Sequence, residues 1–347
     1  MEEGTLVVPM ETSLFDYDLP ASAIAQTPVE PRDQARLLID EGPGAAPRHG
    51  RITDLPSLVG PGDVVVLNTT KVLPARLRLT KPTGGAVEVL LLEPQDPQER
   101  TWEALVRPSR KVAPGTALRA GDDLTVVVGE DRGEGRRLVE LDLGAGADLL
   151  GALERHGAMP LPPYITTPLE DPSRYQTTYA EQPGSVAAPT AGLHLTPAVL
   201  DAVRAAGADV HPVELVVGLG TFRPIATDMV EDHQMHAERY RVPEATMAAC
   251  QAAERVVAVG TTTVRALESA ATSGALSGRT ELFIHGEHDF AVVDALLTNF
   301  HQPRSSLLVL IDAFVGPRWR DLYAAALAEG YRFLSFGDAT FLRGARG

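Results

Sequence analysis

The stretch RVVAVGTTTVRALESAA, residues 255–271, decides the fold class. It opens on an apolar run of strand length, turns at Gly260 through three threonines, and continues into VRALESAA, where Val264, Leu267 and Ala271 recur at helical spacing. A continuous apolar strand leading into an amphipathic helix is the unit of layered α/β structure, whose strands are covered on both faces.

The same texture recurs on both sides. Upstream, Thr196 caps a helix with Pro197 in its first turn; the helix runs to Gly207 and a strand follows at about residues 210–217. Downstream, VVDALLTNF leads through HQP into the helix RSSLLVLIDAF. A last unit has the helix DLYAAALAE ended by Gly330, a strand YRFLSF and a loop at residues 337–340. Between residues 62 and 143 the pattern differs. Short β-rich runs (DVVVLNTT, ARLRLT, AVEVLLLE, TWEALVRP, DLTVVVG, RRLVELDL) are separated by Gly, Pro and Asp clusters, which suits an antiparallel barrel or sandwich. The expected architecture is an α/β main domain with a layered, mixed sheet, made of residues 1–70 and 155–347, with an antiparallel β-barrel inserted at residues 71–154.

Composition narrows the function. The 347 residues suit about two domains with a sizeable core, and the net charge of −15 argues against general nucleic-acid binding, which depends on neutralising phosphates. All three lysines, Lys71, Lys81 and Lys111, nevertheless fall in one stretch with Arg76, Arg78, Arg107 and Arg110, a local basic face. The one cysteine, Cys250, allows no internal disulfide and points to a reducing, cytoplasmic setting. No apolar run reaches the roughly 20 residues of a membrane span. No additional amphipathic helix or heptad is visible, so a monomer is expected.

Polar residues concentrate where the strands end, the edge at which open α/β sheets bind ligands. APTAGLH, residues 188–194, offers Thr190, Gly192 and His194. GTTTVRALES places Thr261 and Thr262 at a helix N-terminus, with Arg265 and Glu268 at i, i+3, where they are expected to pair with each other. EDHQMHAERYRV carries His233 and His236 three apart, the spacing that sets two imidazoles on one helical face; without a third ligand no metal is expected. LLTNFHQP gives Asn299 and His301, and FGDAT gives Asp338. GLGTFRP, residues 218–224, lacks the third glycine of a methyltransferase loop, and Pro224 breaks the helix such a loop must open. A non-catalytic RNA-binding module fits poorly with an aromatic content of 5%.

Taken in order, FDYDLP, GDVVVLNTTKVLPARL, WEALVRPSRKV, LPPYI, RYQTTYAEQPGSVAAPTAGLHLT, VGLGTFRPI, HQMHAERY, VAVGTTTVRALES, VDALLTNFHQPRSSLL and FLSFGDATFL resemble the S-adenosylmethionine:tRNA ribosyltransferase-isomerases of queuosine biosynthesis over nearly the whole chain. The string at residues 174–196 is the most specific part. The chain departs from the family pattern at Thr69 and Lys71, at Leu195 and Gln302, and at residues 285–288, which read His285, Gly286, Glu287, His288. These departures leave open a paralogue acting on a different RNA or base acceptor.

The resemblance implies transfer and isomerisation of the ribosyl group of S-adenosylmethionine onto 7-aminomethyl-7-deazaguanine at the tRNA wobble position, releasing adenine and methionine. That chemistry needs a base for the acidic proton beside the sulfonium. The candidates are His194, His233 and His236, with Asp338 or Glu268 as carboxylate alternatives. Thr190, Gly192, Thr261, Thr262, Glu268 and Asn299 are the candidates for the co-substrate S-adenosylmethionine. Arg223 and Arg265 are candidates for its carboxylate. Lys71, Arg76, Arg107, Arg110 and Lys111 are candidates for the phosphates of the tRNA anticodon loop.

Overall fold

A computed structural model describes residues 9–144, 146–218 and 224–344. Two large sheets and a two-stranded one share the described residues. The first strands, β1 (Arg36–Ile39), β2 (Arg48–Arg51) and β3 (Asp63–Asn68), belong to a nine-stranded mixed sheet. After β4 (Thr70–Val72) the chain forms β5 (Arg76–Thr80), β6 (Ala86–Pro94), β7 (Thr101–Arg107), β8 (Ala117–Ala120), β9 (Leu124–Gly133) and β10 (Arg136–Leu143). These six are antiparallel in the order β5-β6-β7-β10-β9-β8, and a pairing of Thr80 with Arg119 joins β5 to β8 and closes the barrel. Alternation explains it: from Leu124 to Val128 in β9 and from Arg137 to Leu141 in β10 every second residue is buried, and Trp102, Val126, Val139 and Leu141 fill the interior.

The chain returns through helix α1 (Leu149–His156), capped by Asp148 accepting from Gly151 N, and the short β11 (Gly157–Ala158). It then pairs β12 (Gln182–Ser185) in parallel with β4. The outgoing and returning segments are thus stitched together beside the large sheet. Helix α2 (Pro197–Ala205) has its Thr196 cap accepting from Val199 N. There follow β13 (Asp209–Leu215), β14 (Glu238–Arg241), α3 (Glu244–Ala252), β15 (Arg255–Val259), α4 (Thr261–Ser273), β16 (Ser277–Thr280), β17 (Ala295–Asn299), α5 (Ser306–Val315), α6 (Trp319–Ala328) and β18 (Ala339–Arg343). The sheet order is β16-β14-β13-β3-β15-β17-β18-β1-β2. Strands β13, β3, β15 and β17 run parallel; β18 and β1 run against them. One edge of the sheet therefore gathers the C-terminal ends of β3, β13, β15 and β17 and the start of β18.

The α/β main sheet and inserted barrel are as expected, with four local corrections. DVVVLN does not join the barrel: all six residues of β3 are buried, as befits a central strand covered on both faces, and the sixth barrel strand is instead β8. YRFLSF is not a strand. Its aromatics are buried by ring packing, Phe333 stacking on Phe300 at 4.7 Å; beyond a single bridge from Phe333 to Ile24, strand pairing begins at Ala339. Helix α2 stops at Ala205, not Gly207. Residues 233–237 are neither helix nor strand, and the residues after them, with alternating burial, form the strand Glu238–Arg241.

Candidate active site

Asn299, the last residue of β17, organises the gathered edge. Its Oδ1 accepts from Thr190 Oγ1 at 2.8 Å, and its Nδ2 donates to the Asp338 carbonyl at 3.3 Å and to His194 Nε2 at 3.1 Å. The carbonyl only accepts, so the amide orientation is fixed and His194 receives this bond on an unprotonated Nε2. Thr190 and His194 bracket a 3₁₀ turn, Thr190–His194, buried except at Thr190. Within it Gly192 is required: a Cβ there would lie 2.0 Å from the Tyr179 hydroxyl oxygen.

Burial, reinforced by the positive charge of Arg332 and, more weakly, of Arg32 and Arg174, lowers the His194 pKa to about 4; a backbone hydrogen bond with Arg32 opposes the shift. His301 lies two residues beyond Asn299. Burial lowers its pKa to about 3, and its Nε2 is 3.0 Å from Thr298 Oγ1. At neutral pH both rings are uncharged.

Two small depressions, each of about 30 Å³, flank Thr190. One is lined by Tyr164, Asn299, Gln302, Ser305 and Ser335, the other by Gly260, Thr261, Thr262 and Thr298; Thr190, His301 and Leu307 line both. Gly260, at φ +88°, turns β15 sharply into α4 and sets Thr261 and Thr262 at the helix start. Thr262 Oγ1 accepts from Asn68 Nδ2 at 3.3 Å, tying the helix start to the end of β3. The leading amides of α4 have no partners within the helix, so this rim offers N–H donors and hydroxyls to a polar ligand.

The structure brings together Thr190, Gly192, His194, Thr261, Thr262, Asn299 and Asp338. Asp338 is held by backbone amides, Oδ1 by Arg36 N at 2.9 Å and Oδ2 by Arg332 N at 2.8 Å. Arg265 and Glu268 do not pair with each other, contrary to expectation. Arg265 forms a buried ion pair with Glu238, and Glu268 accepts from the amides of Ala291, Val292 and Val293 at 2.8–3.0 Å. Each found a partner from a distant segment that seals the helix face.

His233 and His236 stand off the Asn299 cluster. His233 packs edge-on against Phe283 at 5.4 Å, and its pKa is lowered by burial and by His236. His236 borders a cavity of about 210 Å³ between barrel and sheet, with Glu93, Glu238, Arg239 and Arg279. Arg223 lies outside the described residues. Among the described residues no group of His, Cys, Asp or Glu side chains is arranged to hold a metal ion.

Of the basic candidates, Arg76 and Arg107 line one groove of about 870 Å³ between the barrel and the 157–172 connector, together with Arg78. Lys71, Arg110 and Lys111 do not line it; Arg110 and Lys111 sit on a separate 3₁₀ turn, Ser109–Lys111. Sequence reasoning missed Tyr164, Ser335, Thr298 and Leu307. Tyr164 and Ser335 are hydrogen-bonded at 2.7 Å although far apart in the chain, and burial raises the Tyr164 pKa. The available signal was their place in the motifs LPPYI and FLSFGDAT.

Two polar depressions built from strand-end loops, beside a larger groove lined by Arg76, Arg78 and Arg107 and by Glu88 and Glu154, make this edge of the α/β sheet a candidate site for a small polar ligand. Residues 12–342 match the family of queuosine biosynthesis proteins, and the chain belongs to that family. It is 52% identical over 336 residues to a protein of Rubrobacter xylanophilus named S-adenosylmethionine:tRNA ribosyltransferase-isomerase, covering 96% of this chain and 98% of that one. A Thermus thermophilus protein of the same name is 50% identical over 349 residues, covering 94% and 98%. The crystal structure of S-adenosylmethionine tRNA ribosyltransferase from Thermotoga maritima matches 95% of this chain and 99% of its own, at 34% identity and a TM-score of 0.54.

Proposed function

We propose that this protein transfers and isomerises the ribosyl moiety of S-adenosylmethionine onto 7-aminomethyl-7-deazaguanine at the wobble position of tRNA, giving epoxyqueuosine-tRNA, adenine and methionine. Family membership supports the reaction. The structural observation that carries the reading is the Thr190–Asn299–His194 network at the strand ends, flanked by depressions that share Thr190 and His301.

The chemistry asks three things of the protein: a neutral base beside a sulfonium, donors for the leaving adenine, and a seat that keeps two substrates in register. Uncharged imidazoles meet the first without repelling the cation. Thr190, Thr261 and Thr262, with the leading amides of α4, supply hydroxyl and N–H donors; Gly192 and Asn299 shape the same rim. Arg265 braces Glu238 from a buried position, which leaves Arg223 for the carboxylate of the co-substrate. S-adenosylmethionine is consumed as a co-substrate, and no prosthetic group enters the scheme.

The anticodon loop is single-stranded, so its base is presented without the cost of opening a duplex. Arg76, Arg78 and Arg107 seat its phosphates in the barrel groove. The connector joins the two sites: Pro163 and Ile165 line the groove, while Tyr164 between them lines the depression at Asn299. The enzyme works in the cytoplasm as a monomer. Among the described residues the one large exposed apolar side chain is Leu14, which gives a second copy little to bury.

Incubation with S-adenosylmethionine and tRNA bearing the aminomethyl base tests this. Adenine and methionine are expected in equal amounts; S-adenosylhomocysteine would instead mean methyl transfer and overturn the reading.

A further inference from the structure

We propose, resting on the reaction above, that His301 is the catalytic base, taking the proton from the carbon beside the sulfonium onto Nδ1, and that Thr298 is the positioning residue that aims its ring. In that step a C–H bond breaks and its electron pair stays on the carbon next to sulfur. An N–H bond forms on the imidazole, which becomes imidazolium.

Three observations carry this. First, His301 is the one histidine lining both depressions beside Thr190. Second, it is rigidly held. Its carbonyl accepts from the Tyr17 hydroxyl, its amide donates to Tyr323 Oη at 3.0 Å, and its Nε2 meets Thr298 Oγ1 at 3.0 Å. The contact with Thr298 accommodates either tautomer; the proposed base is the one in which Nε2–H donates to Thr298 Oγ1, which leaves the lone pair on Nδ1, an atom with no hydrogen-bond partner among the described residues. Burial keeps the ring unprotonated at neutral pH.

Third, the other candidates are committed. His194 Nε2 receives Asn299 Nδ2, and the ring borders a different depression, with Arg32 and Arg174. Both oxygens of Asp338 and of Glu268 are bonded to backbone amides. His233 and His236 line neither depression.

The test compares wild type, His301→Gln, His301→Ala, Thr298→Val and Thr298→Ser, scoring adenine release from S-adenosylmethionine with the aminomethyl-bearing tRNA. Wild-type turnover is the first readout; its absence would sink the proposed reaction, whereas everything below addresses His301 alone. His301→Gln should lower kcat about 10²–10⁴-fold, the usual range for a lost positioned base, with KM for S-adenosylmethionine within about threefold of wild type. Added imidazole should partly restore turnover in His301→Ala. Thr298→Val should lose at least about tenfold in kcat and Thr298→Ser should recover it.

A His301→Gln enzyme with kcat within about threefold of wild type, or a loss confined to KM, would overturn the proposal. If the His301 variants fail to fold, the threonine pair decides: equal kcat in Thr298→Val and wild type would overturn it.

Discussion

Asn299 shows how much one side chain settles at this edge. Its amide is used on both sides, accepting from Thr190 and donating to His194 and to the Asp338 carbonyl, and it is 2% exposed. Asn299→Asp keeps the shape but turns an oxygen toward two acceptors. We expect it to cost about 1–3 kcal/mol, measured as a lowered urea midpoint with unchanged m-value. His194 carries a pH signature. Its folded pKa, about 4, lies below the ordinary 6.5, so the unfolded chain binds the proton more tightly. The stability it contributes is complete above about pH 6.5 and is lost as pH falls toward 4. Between about pH 7 and pH 4.5 the wild type should lose roughly 2–3 kcal/mol more than His194→Asn, read from urea melts at the two pH values. Thr190, His194 and Asn299 were legible as strand-end polar residues. Which nitrogen of His194 is engaged was not, because that depends on a carbonyl 39 residues away from Asn299 in sequence.

At the scale of elements, the sequence reading succeeded where a local rule governs. The Thr196 cap satisfies a backbone amide that needs a partner, and the Gly260 turn into α4 uses a positive φ that glycine adopts freely. It failed where a distant contact overrode the local pattern. The aromatic run after α6 spends its rings on Phe300, Tyr323 and Tyr17 instead of pairing as a strand. Glu268 serves the amides of residues 291–293 rather than Arg265. The Thr190–His194 turn gives a prediction of its own. Since a Cβ on Gly192 would meet Tyr179 Oη at 2.0 Å, Gly192→Ala must displace the Tyr179 ring or the turn. We expect it to cost about 1–3 kcal/mol in stability, and adenine release to fall at least tenfold; Gly192→Ala with Tyr179→Phe should recover part of both.

Across the whole molecule, the barrel insertion was legible from the change in periodicity after residue 62. Its attachment was not: the parallel pairing of β4 with β12 joins segments more than a hundred residues apart. The insertion sets a groove with Arg78 and Arg107, and with Arg76 paired to Glu88, beside the strand-end site within a chain of net charge −15. Binding of the tRNA should therefore weaken with salt through a few local contacts. Arg78→Ala and Arg107→Ala should each reduce the slope of log affinity against log salt by roughly 0.7, one single-stranded phosphate contact apiece, whereas Lys111→Ala should leave it unchanged. Equal slopes in all three variants would detach the groove from RNA binding. In the proposed reaction the strand-end site rebuilds the ribosyl group of S-adenosylmethionine on the wobble base. The most direct test is the mass of that nucleoside after reaction and digestion of the tRNA. A gain equal to the rearranged ribosyl unit is expected, with one adenine and one methionine released per modified base. A gain of a single methyl group, or an unchanged nucleoside while S-adenosylmethionine is consumed, would contradict it.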